Sequence, residues 1–189
     1  NIINLSEQNS VLNNFIGELR DVNIQKDSMR FRRNLERIGE IFAYEISKQL
    51  KYEKKEVQTP LGIAEVNVVA DELVIGTVLR AGLPLHNGIL NIFDKAQNCF
   101  MASYRKCGKD NKFTIQLEYV SSPSIDGKVL VLADSMLATG STIVLAYQRL
   151  KEEGDAKHTH IVCPVVSRDG IAYLSKNLPH RSVTMWVGA

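Results

Sequence analysis

Val11, Leu12, Phe15, Ile16 and Leu19 recur at helical spacing, and Leu35, Ile38, Phe42, Ile46 and Leu50 repeat the pattern after polar Asp27 and Ser28. Such spacing aligns one apolar stripe along a helix, so two amphipathic helices open the chain, the second capped by Asp27 or Ser28. Residues 57–69 are interrupted by Pro60 and Gly62, which predicts a turn between two short strands rather than one continuous strand. An apolar run over residues 73–79, a glycine-containing turn, a helical stretch from Leu83 to about Lys95 and a second apolar run over 100–104 form a strand-helix-strand unit. Phe113, Ile115, Leu117 and Tyr119 alternate with Thr114, Gln116 and Glu118, the period of a half-exposed strand, while polar residues 106–112 read as a flexible β-arm. Residues 129–132 are a short apolar run after the turn signal Asp126-Gly127, residues 143–150 a helix ending near Gly154, and residues 161–166 and 182–189 further buried strands. Strands alternating with helices, with connections too long for hairpins, predict an α/β fold built on a mostly parallel sheet flanked by helices.

The 189 residues are 44% hydrophobic and 23% charged, the make-up of one domain over 1–189 that buries a full core without disulfides or metal. A formal net charge of +2, with bases interspersed among acids, gives no reason to expect a nucleic-acid partner. Cys99, Cys107 and Cys163 have no metal-ligand spacing and fit reduced thiols in a cytoplasmic protein. There is no basic segment followed by an apolar run at the start, and no stretch near the roughly 18–20 apolar residues that cross a bilayer, so neither export nor membrane insertion is expected. His86, His158, His160 and His180 lack the cysteine or acid partners of a metal site and are read as structural or solvent-facing. Phe93, Tyr147 and Trp186 fall in apolar runs and are read as core or subunit-contact residues. Nothing beside Cys107 lowers its pKa, which argues against covalent catalysis.

The chemistry concentrates after the buried run at 129–132, where Ala133-Asp134-Ser135-Met136-Leu137-Ala138-Thr139-Gly140-Ser141-Thr142 passes through small, hydroxyl-rich residues as a helix begins. Unpaired N–H groups at a helix start face outward with the positive end of its dipole, and small residues let a phosphate approach them. Gly140 admits the phosphate, Thr139, Ser141 and Thr142 add donors, and Asp134 can accept hydrogen bonds from ribose hydroxyls at the carboxyl end of its strand. The plainer reading, in which Thr139 and Ser141 only cap a helix, stays open at this point. No Gly-Lys-Ser or Gly-Lys-Thr follows and no Gly-x-Gly-x-x-Gly is present, which disfavours nucleotide hydrolases and dehydrogenases.

An apolar strand, an acid and then Ala-Thr-Gly resembles the phosphoribosyl pyrophosphate loop of type I phosphoribosyltransferases, and the form with Met136-Leu137-Ala138 resembles the uracil branch. Many relatives carry two adjacent acids where this chain has Asp134-Ser135, and Gly-Gly where it has Gly140-Ser141. Ser141 keeps a backbone N–H and adds a hydroxyl, so phosphate binding survives unless that position needs a positive φ. Leu79-Arg80-Ala81-Gly82 resembles the family's pyrophosphate loop, and Tyr104-Arg105 its arginine at the base of a flexible loop, so that Arg80 and Arg105 would both serve the leaving pyrophosphate. Residues 106–112 depart from the proline-containing loop of many uracil enzymes. The resemblance also covers Leu19-Arg20-Asp21, Phe31-Arg32, Ala43-Tyr44-Glu45 and Thr59-Pro60-Leu61-Gly62, in the family's order.

The resemblance implies transfer from phosphoribosyl pyrophosphate to uracil, with Mg²⁺ carried mainly by the substrate, no metal-binding residues of the protein's own, no side-chain nucleophile, and a homodimer or larger homo-oligomer. It also implies that uracil is held by a hood after the strand at 182–189, so the uracil contacts are expected beyond Ala189 in a longer natural chain. A chain ending at Ala189 would bind phosphoribosyl pyrophosphate yet transfer it to uracil poorly. Two rival readings stand beside this one: a phosphoribosyltransferase for another base, and a non-catalytic domain that senses a nucleotide or phosphoribosyl pyrophosphate.

Overall fold

The computed structural model describes residues 1–107 and 113–189, the side chains of residues 104–116 excepted. Along the chain run β1 (Ile2–Asn4), α1 (Val11–Arg20), α2 (Ser28–Ser47), β2 (Tyr52–Thr59), β3 (Gly62–Val69), β4 (Leu73–Leu79), α3 (Leu83–Ile92), β5 (Gln97–Cys107) and β6 (Phe113–Ser121). Then follow β7 (Val129–Ala133), β8 (Met136–Leu137), α4 (Ser141–Leu150), β9 (His158–Cys163), β10 (Val165–Val166), α5 (Arg168–Asn177) and β11 (Val183–Val187). Asp27 caps α2, its carboxylate accepting from the N–H groups of Met29 and Arg30 at 3.1 and 3.0 Å.

The main sheet has the order β1-β11-β9-β7-β4-β5-β6, parallel throughout except for the β5–β6 pair. Alternate residues of its strands enter two separate cores. Leu73, Ile75, Val129, Val131, Val162 and Trp186 face α1, α2 and α3. Val74, Leu130, Leu132, Ile161 and Met185 face α4 and α5. Burial on both faces explains why these strands read as continuous apolar runs. The helix after β4 crosses one face toward β5 and the helix after β7 crosses the other toward β9, so the crossovers diverge between β4 and β7. Open α/β sheets bind ligands at such a switch point, outside the carboxyl ends of the strands.

The hairpin expected over 57–69 is present as β2 and β3, with Thr59 opposite Gly62 at its turn. Four expectations need correction. The helix from Leu83 stops at Ile92 rather than near Lys95. The run 161–166 divides at Pro164, whose ring cannot donate to a ladder, into β9 in the main sheet and β10 in a separate pair with β8. Arg105 lies inside β5, opposite Ile115, because the strand continues to Cys107. In β6 a register shift opposite Ala102 and Ser103 breaks the alternation, so Leu117 and Val120 pack on the core while Tyr119 is exposed. The expected arm over 106–112 lies, from residue 108 onward, outside the described residues.

Phe93 and Trp186 are buried and Tyr147 packs against the second core. His86, His158 and His160 are held inside the fold by side-chain hydrogen bonds to Asn98, Thr184 and Trp186, respectively. Cys99 and Cys163 are buried free thiols, and the side chain of Cys107 lies outside the described residues. Among the described residues, no helix is long and apolar enough to cross a membrane.

Candidate functional site

The turn after β4 and the loop after β7 flank the switch point. Thr77 of β4 stands opposite Ala133 of β7, which puts Arg80 and Asp134 just past the ends of two neighbouring strands. Asp134 ties itself back to the sheet through its N–H, which donates to the carbonyl of Val162 at 3.0 Å. Burial pushes its carboxyl up to about 6, although the N–H groups of Met136 and Ser135 donate to it and pull the other way. A carboxyl half-buried at a strand end, with its ionised form disfavoured by its surroundings, is unusual enough to suggest a ligand-facing role.

After Asp134 the chain descends through Ser135 and β8 to Ala138, Thr139 and Gly140, and α4 begins at Ser141. The N-cap is Gly140, with φ 77°, and no side chain caps the helix. The hydroxyls of Thr139 and Ser141 instead meet each other at 2.8 Å, so the simple capping reading of these two residues does not hold. A helix leaves its first N–H groups, here those of Ser141, Thr142 and Ile143, without internal partners. They open beside the two hydroxyls, the arrangement that receives an anion at a helix start. The left-handed conformation falls on Gly140 and not on Ser141, which is already helical, so serine is compatible at the second position. A Cβ on Gly140 would press on Leu174 and come within 2.9 Å of the Gly170 carbonyl. The need for glycine therefore comes from φ and from α5.

Arg80 is exposed, and among the described residues no carboxylate pairs with it. The Leu79–Arg80 peptide is cis, and the Leu83 N–H closes the turn onto the Arg80 carbonyl at 3.2 Å. Ala81 is exposed at the rim, whereas Gly82 is buried where a Cβ would strike the Thr77 hydroxyl and lie 3.0 Å from the Val78 carbonyl. The backbone of Arg105 is in β5, two strands from Asp134 in the sheet, and its side chain lies outside the described residues.

Two supports of this site were not expected. Thr77 is the one hydroxyl in the otherwise apolar run of β4, and that lone polar residue was the available signal. The second is α5, whose sequence Arg-Asp-Gly-Ile-Ala-Tyr-Leu-Ser-Lys-Asn gives a short apolar stripe, Ile171, Leu174 and the following Leu178 at helical spacing against the second core, which was the available signal. β8 pairs with β10, the Ser167 N–H donates to the Leu137 carbonyl at 2.9 Å, and Gly140 packs on α5.

A mostly parallel sheet with an acid-led loop running into a bare helix start, beside an arginine turn on the adjacent strand, defines a type I phosphoribosyltransferase. The fold agrees with that of a hypoxanthine phosphoribosyltransferase from Staphylococcus aureus, at TM-score 0.53 over 83% of this chain and 74% of that one, with 13% identity. A protein from Aquifex aeolicus is nearer, at TM-score 0.85 and 25% identity, covering all of this chain and 86% of that one. Within the class, the sequence model described as uracil phosphoribosyltransferase matches residues 6–189. A uracil phosphoribosyltransferase of Porphyromonas gingivalis is 47% identical over 188 residues, 100% of this chain and 87% of that protein. The chain belongs to the uracil phosphoribosyltransferase family.

Proposed function

We propose that the chain transfers the phosphoribosyl group of phosphoribosyl pyrophosphate to uracil, yielding uridine monophosphate and pyrophosphate in pyrimidine salvage. The observation that carries this reading is the start of α4, where the Thr139 and Ser141 hydroxyls stand together at 2.8 Å, unused as caps, at the end of the loop that Asp134 leads. The N–H groups and hydroxyls over residues 135–142 would hold the 5-phosphate, Asp134 the ribose hydroxyls, and Arg80, Ala81 and Gly82 the pyrophosphate, with Arg105 as a second cation. The bond from the anomeric carbon to a pyrophosphate oxygen breaks, a bond to a uracil ring nitrogen forms, and that nitrogen gives up its proton. Positive charge developing on the sugar needs partners held in place, a stabilised leaving group and little water, and none of this requires a side-chain nucleophile.

Among the described residues no three His, Cys, Asp or Glu side chains gather as a metal cluster. A Mg²⁺ would be coordinated mainly by substrate oxygens, with the half-buried Asp134 carboxyl as the protein group nearest to hand, and would offset the charge of the diphosphate. On this reading residues 1–189 act as one phosphoribosyltransferase domain in the cytoplasm, and none of them is assigned to uracil. The working form is a homodimer or larger homo-oligomer, for which exposed Leu61, Ile63, Val11 and Met29 supply apolar surface.

The test is product analysis with uracil and phosphoribosyl pyrophosphate supplied together and singly. Uridine monophosphate formed in equal amount with pyrophosphate, and only when both are present, is the expected result. Faster transfer to another base, or binding with no transfer, would refute it.

A further inference from the structure

Ser167 sits at the junction of β10 and α5, outside the loop that reads as the phosphate site, and touches that loop in two ways. Its N–H donates to the Leu137 carbonyl at 2.9 Å, and its hydroxyl donates to the Ala138 carbonyl. The same hydroxyl oxygen accepts from the Gly170 N–H at 2.8 Å, which caps α5. One side chain thus fixes a helix start and a loop carbonyl together. The surroundings leave the loop little room to settle elsewhere. Val165 and Val166 pair with Met136 and Leu137, and a Cβ on Gly170 would lie 3.0 and 3.1 Å from the Leu137 and Ala138 carbonyls.

We propose that Ser167 is a positioning residue for phosphoribosyl pyrophosphate: by holding the Ala138 carbonyl on the α5 side, its hydroxyl keeps Thr139, Gly140 and Ser141 in the conformation that receives the phosphate. This rests on the reading of the loop given above. A carbonyl drawn toward α5 is a carbonyl turned away from an incoming anion. Freed of its donor, the Ala138 peptide can rotate and bring its oxygen toward the phosphate, which lowers affinity without touching the reacting atoms.

Three substitutions separate positioning from capping. Ser167→Ala removes both hydrogen bonds. Ser167→Asp keeps an N-cap acceptor of good quality but has no proton for the Ala138 carbonyl. Ser167→Thr keeps both. We expect Ala and Asp each to raise KM for phosphoribosyl pyrophosphate about three- to tenfold, with kcat within about twofold, as loss of one hydrogen bond implies. Asp should leave the melting temperature unchanged, and Thr should restore KM. Amide hydrogen exchange over residues 136–140 without substrate should quicken in Ala and Asp and not in Thr. That second readout holds even if the wild-type protein proves inactive on phosphoribosyl pyrophosphate, an outcome that would sink the substrate reading alone. Unchanged exchange and KM in Ala, or an Asp variant that behaves as wild type, would show a helix cap only. A raised KM in Asp but not in Ala would reflect added charge and would equally overturn the proposal.

Discussion

The Thr77 hydroxyl donates to the Ala133 carbonyl at 3.0 Å inside the sheet, between residues 56 apart in sequence. Thr77 also lies where a Cβ on Gly82 would fall, so this one side chain fixes the spacing between the Arg80 turn and the residue before Asp134. The bond joins the two halves of the candidate site at its base.

Thr77→Val keeps the shape and removes the donor. The change is predicted to cost about 1–2 kcal/mol in denaturant unfolding, the loss of a buried hydrogen bond. It should also lower kcat/KM roughly ten- to a hundredfold through misplacement of the flanking loops. Loss of stability with unchanged kinetics would make Thr77 purely structural.

Asp134→Asn is predicted to raise stability while lowering turnover. Burial holds the carboxyl at about 6 in the folded chain against an ordinary 3.8. The folded state therefore keeps its proton over that window while the unfolded chain has released it. Stability from this group is present below about 3.8 and is lost as pH rises through about 6. At neutral pH and above, the charged form is a burden of roughly 1–3 kcal/mol that asparagine removes. Chemical denaturation should show the variant more stable near neutrality, with the gap closing toward pH of about 4. A variant less stable than wild type at neutral pH would contradict the account.

Gly140→Ala forces a side chain into a backbone at φ 77° and against Leu174. We expect a loss of about 1–3 kcal/mol together with weaker binding of phosphoribosyl pyrophosphate. Ser141→Gly, at a helical position with ordinary φ, should cost much less. Equal effects at the two positions in thermal melts would refute this division of roles.

Arg80→Ala removes an exposed cation with no carboxylate partner among the described residues. Its melting temperature should stay where it is while turnover falls roughly a hundredfold, as for loss of a group that meets developing charge. The reverse pattern would make Arg80 a structural residue.

The buried strands, the helices before and after them and the 134–142 loop were legible because apolar runs, spacing and small hydroxyl residues act locally. What was not legible depends on pairing at a distance. β1 is three residues long and exists by lying beside β11, and β10 exists by pairing with β8 after Pro164 ends β9. The helical spacing of Ile171, Leu174 and Leu178 marks α5 locally, but its packing against Gly140 is a contact at a distance. The assignment of positive φ to Gly140 instead of Ser141 is likewise fixed by α5, packed beneath the loop from 30 residues onward in the chain.

The central claim, that the loop entering α4 and the turn at Arg80 together receive phosphoribosyl pyrophosphate, is tested most directly by amide hydrogen exchange of the wild-type protein with and without that ligand and Mg²⁺. The account predicts slowed exchange at residues 135–142 and 80–82, and no slowing in the remote β2–β3 hairpin. Saturating ligand that supports turnover yet leaves both loops exchanging as in the free protein would contradict it.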